Sequence, residues 1–137
     1  VRILVTGSRT WRDPVGIAAA LDAATVDHPG RHVLVHGAAA GADRAAAAHA
    51  TRRGWLVEAY PADWRSCAES CQPGHRRTNA RGEYCPTAGH RRNAAMVAAG
   101  ADLCVAFIRN GSPGATGCAA LAEDAGIPVE RHRKDDR

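Results

Sequence analysis

The chain has 137 residues, 18 Lys plus Arg against 14 Asp plus Glu, and a formal net charge of +4. That length supports one domain with an adequate core, not two. No apolar run approaches the roughly 20 residues that span a bilayer, and the chain does not open with a secretory signal pattern, so a cytoplasmic location without a membrane partner is expected.

Ala and Gly supply much of the apolar content, while Phe occurs once and Tyr twice. That balance suits close-packed helices over a small sheet better than an aromatic-rich sandwich. Residues 1–6 (VRILVT) are apolar except Arg2, as in a strand covered on both faces. Asp13 and Pro14 fit an N-cap and a first helical position, opening a helix to about residue 27. Ile17, Leu21 and Ala24 give it a buried stripe, and Asp22 falls off that stripe and is expected to face water. After the turn at Pro29–Gly30, residues 32–36 read as a second strand and 42–53 as an Ala-rich helix capped by Gly54. Residues 55–60 read as a third strand, ended by Pro61.

This βαβαβ order predicts a parallel sheet. Periodicity then fails from 62 to 89, a segment rich in Cys, Arg and Gly and too long for an ordinary connection; residues 63–89 are read as an insertion. A helix over 90–99, a strand over 102–108 and a helix over about 115–125 follow. Residues 126–129 are expected as a short edge strand, because Pro128 tolerates an edge, and 131–137 are expected to fray. The expectation is an α/β domain over 1–137 built on a mostly parallel five-stranded sheet.

Three loops share one grammar: a strand, then small residues, then a helix. They are Gly7–Ser8–Arg9, the GAAAGAD run from Gly37 through Gly41 to Asp43, and the NGSPGAT run holding Gly111, Ser112 and Gly114. At the carboxyl edge of a parallel sheet such loops would form one cradle for phosphate or carboxylate, with backbone N–H groups and helix N-termini facing the ligand. Gly7 permits close approach, Ser8 can donate its hydroxyl hydrogen and Arg9 can form a paired bond to phosphate. Trp11 offers a stacking surface or packs over the turn. Asp43 either bonds ribose hydroxyls or caps its helix. Ser112 lacks an adjacent base, so anion binding is the simpler role for it than nucleophilic attack. Arg91, Arg92 and Asn93 open the next helix, and Arg92 and Asn93 can point back into the same cleft. No Gly-Lys-Ser/Thr ending is present and no GxGxxG follows the first strand, which disfavours P-loop ATP hydrolysis and typical NAD chemistry.

Cys67, Cys71 and His75 are spaced by four, so a short helix would present them on one face, with Cys85 arriving from the return segment. Pro73 and Gly74 can end that helix early and leave His75 in a turn. Three thiolates and one imidazole make a closed structural zinc shell, and a polar segment with little to bury gains stability from a metal. His90 in place of His75 is the alternative fourth ligand. Cys104 and Cys118 read as buried small residues.

With these residues placed, the chain resembles the YspA-related branch of the SLOG superfamily, a Rossmann-like group that includes the Lonely Guy phosphoribohydrolases and DNA-processing protein A. The resemblance rests on GSRTW at 7–11, HGAAAGAD at 36–43, YPADW at 60–64, AGHRRNAAM at 88–96, AFIRNGSPGA at 106–115 and AGIPV at 125–129. It implies a Rossmann-like three-layer sandwich with a nucleotide-related ligand above the carboxyl edge. The residues it assigns to that ligand are Gly7, Ser8, Arg9, Gly37, Gly41, Asp43, Arg92, Asn93, Gly111, Ser112 and Gly114. The phosphoribohydrolases carry PGGxGTxxE; the comparable run here is GSPGATGCA, with Ala115 for Thr and Cys118 near the position of Glu. Asp43, Glu69 or Glu83 can replace that carboxylate only by folding inward.

The leading expectation is binding or sensing of a nucleotide-derived, phosphate-bearing small molecule, with a nucleotide-processing N-glycosidic hydrolase as the alternative. Nucleic-acid binding ranks third, resting on the Arg-rich segment 76–92, the basic tail and the DNA-processing relatives. The resemblance to relatives that pair through their helices leaves a homodimer open, and the sequence does not fix the oligomeric state. A phage-accessory role without a ligand has no positive feature in the sequence.

Overall fold

The computed structural model describes residues 1–136. Five parallel strands form the sheet: β1 (Arg2–Gly7), β2 (Val33–His36), β3 (Leu56–Ala59), β6 (Leu103–Arg109) and β7 (Val129–Lys134), in the order β3-β2-β1-β6-β7. Between β3 and the third helix runs a short antiparallel hairpin of β4 (Arg77–Asn79) and β5 (Gly82–Tyr84). The helices are α1 (Pro14–Thr25), α2 (Ala42–Arg52), α3 (Ala88–Ala99) and α4 (Pro113–Asp124). The result is the expected Rossmann-like sandwich, with the large sheet parallel throughout.

Alternation along the strands builds the two faces. Ile3, Val5, Leu34, Val105 and Phe107 meet Ile17 and Leu21 of α1 and Ala42, Ala46 and Ala50 of α2. On the opposite face Leu4, Val35 and Cys104 meet Met96 of α3 and Cys118 and Ala122 of α4. Each fully buried Leu or Ile stabilises the fold by about 2 kcal/mol. The alanines of α2 let that helix lie close on the sheet, and a Cβ on Gly7 would come within 2.3 Å of Ala42 Cβ. Asp13 caps α1 as expected, accepting from Gly16 N at 2.9 Å with Pro14 at the first position. Asp22 is half exposed and also ties α1 to α2, with Oδ1 2.8 Å from His49 Nε2.

Two expectations are corrected. The short helix through Cys67, Cys71 and His75 does not form; turns occupy 64–75 and the hairpin follows. Pro73 and Gly74 prevent a helix from reaching His75, and Gly74 has φ of +75°. The tail is not frayed at 131–134: β7 starts after Pro128 and pairs with β6 from Cys104↔Val129 to Arg109↔Lys134. Its side chains hold it there. Arg131 pairs with Glu123, His132 stacks on Phe107 at 5.1 Å, and Lys134 Nζ lies 2.9 Å from Asp13 Oδ2. Arg137 lies outside the described residues.

No helix among the described residues is long and apolar enough to cross a membrane.

Candidate functional site

Strand order reverses between β1 and β6, so the loops that leave these two neighbours diverge to opposite faces and open a crevice at the carboxyl edge. A cleft of about 530 Å³ lies there, lined by Ser8, Arg9, Asp43, Trp64, Arg92 and Ser112 among others. The volume falls within the range of small-molecule sites.

Ser8 joins the two loops. Its N–H donates to Phe107 O at 2.8 Å, and its hydroxyl accepts from Arg109 N at 2.8 Å and meets Ser112 Oγ at 2.5 Å. Ser112 is the N-cap residue of α4 and makes no side-chain cap bond. Pro113 has no N–H, and the N–H groups of Gly114 and Ala115 precede the intrahelical ladder. They make up the positive end of the helix dipole, where an anion is favoured.

The loop after β2 is arranged differently. Asp43 Oδ2 accepts from Gly37 N at 2.9 Å and Ala39 N at 3.3 Å, and His36 Nδ1 accepts from Ala38 N at 2.9 Å. These amides are therefore engaged within the loop, and what the loop turns to the cleft is the carboxylate. Asp43 is 4% exposed, and its Oδ1 has no hydrogen-bond partner among the described residues. Burial pushes the carboxyl up to about 6, against the Ala39 and Gly37 N–H groups and the cations Arg92 and Arg9, which hold it down. Burial and then the Arg92 charge lower His36, which favours its neutral form.

Arg92 reaches back from α3, as expected, and donates to Gly37 O; its Nη1 also lies 3.5 Å from Tyr60 O. A Cβ on Gly37 would fall 2.5 Å from that nitrogen. Asn93 is buried and donates to Gly114 O at 3.4 Å, linking α3 to α4. Gly41 does not line the cleft; it supports the first loop from behind, packed on the backbone of Ser8 and Arg9. Gly111 is exposed with φ of +61° and also lies off the cleft wall.

Trp11 packs inward on Phe107 at 5.4 Å and is 7% exposed, so it presents no stacking surface to the cleft. The aromatic in the cleft is Trp64, with the Arg9 guanidinium 5.6 Å above its ring. Trp64 carries no chemical signature in sequence; its only signal is its place in YPADW. Gly89 makes room for it, since a Cβ there would lie 2.9 Å from the indole edge. Of the three carboxylates considered as replacements, Asp43 alone lines the cleft; Glu69 is exposed and Glu83 faces a second cavity. Cys118 is fully buried, and burial raises its thiol.

Cys67, Cys71, His75 and Cys85 gather their ligand atoms within 4.8 Å of one another. Tetrahedral zinc with Zn–S bonds of about 2.3 Å separates its sulfurs by about 3.8 Å, and Cys71 Sγ lies 3.9 Å from Cys85 Sγ. His75 Nε2 stands 3.1 Å from Cys67 Sγ and 3.3 Å from Cys85 Sγ. His75 thus completes the set, while His90 lines the cleft instead. Thr87 Oγ1 lies 3.3 Å from Cys85 Sγ, and Arg91 Nη2 also lies 3.3 Å from it. Burial raises the Cys85 thiol, but Thr87, Arg91 and Cys67 outweigh it and bring it down to about 5. A thiolate held beside a guanidinium is the form that ligates a metal, so the residues present fit a Cys3His metal shell.

Residues 1–66 match the model of the YAcAr family, described as the YspA, cpYpsA-related SLOG family. The chain is 37% identical over 133 residues to the Gene 61 protein of Mycobacterium phage D29, covering 93% of each chain. It belongs to the same family as that phage protein.

Proposed function

We propose, from that kinship and the geometry of the cleft, that the chain binds a nucleotide or nucleotide-derived ligand at the carboxyl edge of its sheet. The single observation that carries this reading is the orphaned Oδ1 of the buried Asp43, which lines the same cleft as the N-terminus of α4. A buried carboxylate oxygen without a donor is costly, and a sugar hydroxyl supplies the missing donor. The phosphate belongs on the other wall, at Ser8, Ser112 and the Gly114 and Ala115 amides, with Arg9 closing over it. Binding of ribose 5-phosphate measured by calorimetry tests this. Saturable binding weakened by Asp43→Asn is expected, and absence of binding at millimolar ligand would contradict it.

A hydrolase acting at an N-glycosidic bond is the second reading, favoured by the Asp43 carboxyl at about 6. A group that titrates near neutrality can pass a proton to or from water. Turnover of nucleoside monophosphates that disappears in Asp43→Asn supports the hydrolase; saturable binding without turnover supports the sensor.

Zinc is the metal we assign to the Cys3His cluster, in a structural role, because four protein ligands leave no open position for chemistry. Residues 63–89 then act as a metal-stapled insertion within a single nucleotide-binding domain.

A further inference from the structure

We propose that the stapled hairpin gives the cleft a second compartment, which receives the planar base of the nucleotide held in the cleft. The inference rests on the nucleotide reading above. A cavity of about 600 Å³ adjoins the cleft and shares Arg9 and Trp64 with it, so these two side chains form the partition. The chemistry differs on the two sides. Beyond the shared pair, the cleft is walled by small residues and hydroxyls together with Asp43, His90, Arg92 and Asn93; the adjoining cavity adds a second aromatic ring, Tyr84, with Arg65, Arg81, Asn79 and Glu83.

The Trp64 and Tyr84 rings meet edge to face, with centroids 6.3 Å apart and planes at 74°. Within that pair only one ring has its face covered by the other. With the Arg9 guanidinium over Trp64, this combination of aromatic faces and planar cations is the one that holds nucleobases by stacking. Asn79 and Glu83 add side-chain groups able to bond a base edge.

The hairpin has little else to keep it in place. Its strands are three residues each and exposed along nearly their whole length, and an isolated hairpin of that size is marginal. What brackets it is the gathered Cys67, Cys71, His75 and Cys85 at its base, joined by hydrogen bonds. Cys85 follows β5 directly and its N–H donates to Trp64 O at 2.6 Å, and Arg76 Nη1 donates to Arg65 O at 2.9 Å. The Cys3His cluster and these two hydrogen bonds together set the position of both aromatic walls, which gives the cluster a purpose in ligand recognition beyond local stability.

The test compares AMP with ribose 5-phosphate on the full chain and on Tyr84→Ala. Stacking of one base predicts that AMP binds about tenfold tighter than ribose 5-phosphate. Tyr84→Ala should close that gap to about twofold while ribose 5-phosphate binds as before. Quenching of tryptophan fluorescence by AMP, absent with ribose 5-phosphate and lost in Trp64→Phe, is the second readout; Trp11 and Trp55 remain in that variant as an internal reference. Equal affinity of the two ligands for the unaltered chain would overturn the base compartment while leaving the cleft reading intact, as would an undiminished gap in Tyr84→Ala. Failure of both ligands to bind would overturn the cleft reading and this inference with it. An oligonucleotide that displaces AMP at lower concentration than AMP itself, with steep salt dependence, would assign the cavity to a polynucleotide and overturn the proposal.

Discussion

A Cβ placed on Gly41 would lie 2.4 Å from the carbonyl oxygen of Arg9, so the second loop can support the first only because this position has no side chain. Gly41 also has φ of +76°, a conformation that other residues adopt at a cost. Gly41→Ala should therefore destabilise the fold by about 2–4 kcal/mol. Gly114→Ala is the control, because nothing stands within 4 Å of a Cβ there, and its stability should stay within about 0.5 kcal/mol of the parent. Urea denaturation of the two variants checks both values.

The two serines at the switch point should separate stability from binding. Ser8 is 3% exposed and its hydroxyl satisfies Arg109 N, so Ser8→Ala leaves that amide unpaired and costs about 1–3 kcal/mol. Ser112→Ala removes a hydroxyl that caps nothing in its own helix. Only its bond to the Ser8 hydroxyl is lost with it, so its thermal midpoint should fall by less than that of Ser8→Ala while affinity for ribose 5-phosphate falls several-fold.

Asp43 should make stability depend on pH in the direction opposite to a salt-bridged carboxylate. Its carboxyl is at about 6 in the folded chain against 3.8 as the ordinary value, so between those values the folded state binds more protons than the unfolded state. Stability from this group is complete below about pH 4 and is lost as pH rises through about 6, for a cost approaching about 3 kcal/mol at neutrality. Asp43→Asn should flatten the profile between pH 4 and 6.5. A profile that rises across that window, unchanged by the substitution, would contradict the burial of an unpaired Oδ1.

Metal content and hairpin order should fall together. The intact chain should carry about one zinc, and Cys71→Ser or a chelator should lower that content and expose 76–85 to proteolysis while the five-stranded sheet survives. Full zinc content in Cys71→Ser would remove Cys71 from the shell.

Most of the sandwich was legible in the sequence because its signals are local. Apolar runs ended by Gly or Pro marked the strands, and Ile17 and Leu21 marked a helix by their spacing. The clustering of Cys67, Cys71, His75 and Cys85 was legible too, although not its backbone: spacing by four suggested a helix, and Pro73 with Gly74 made it turns. The β7 extension was hidden because Glu130 to Lys134 is polar and reads as a tail; pairing with the long strand β6 overrides that composition. Trp64 in the cleft and Trp11 in the core could not be told apart from sequence, since both follow strand-ending loops and only tertiary packing assigns them. The engagement of the Gly37 and Ala39 amides by Asp43 was equally hidden, because it depends on a side chain turning back onto its own loop.

Phosphate is proposed to sit at the N-terminus of α4 beside the Ser8–Ser112 pair. Amide chemical shifts of the nitrogen-15-labelled chain titrated with ribose 5-phosphate test it most directly. Saturable shifts, with one common affinity, are expected at Ser8, Arg9, Gly114 and Ala115. Saturable binding that leaves those four amides unmoved would contradict it.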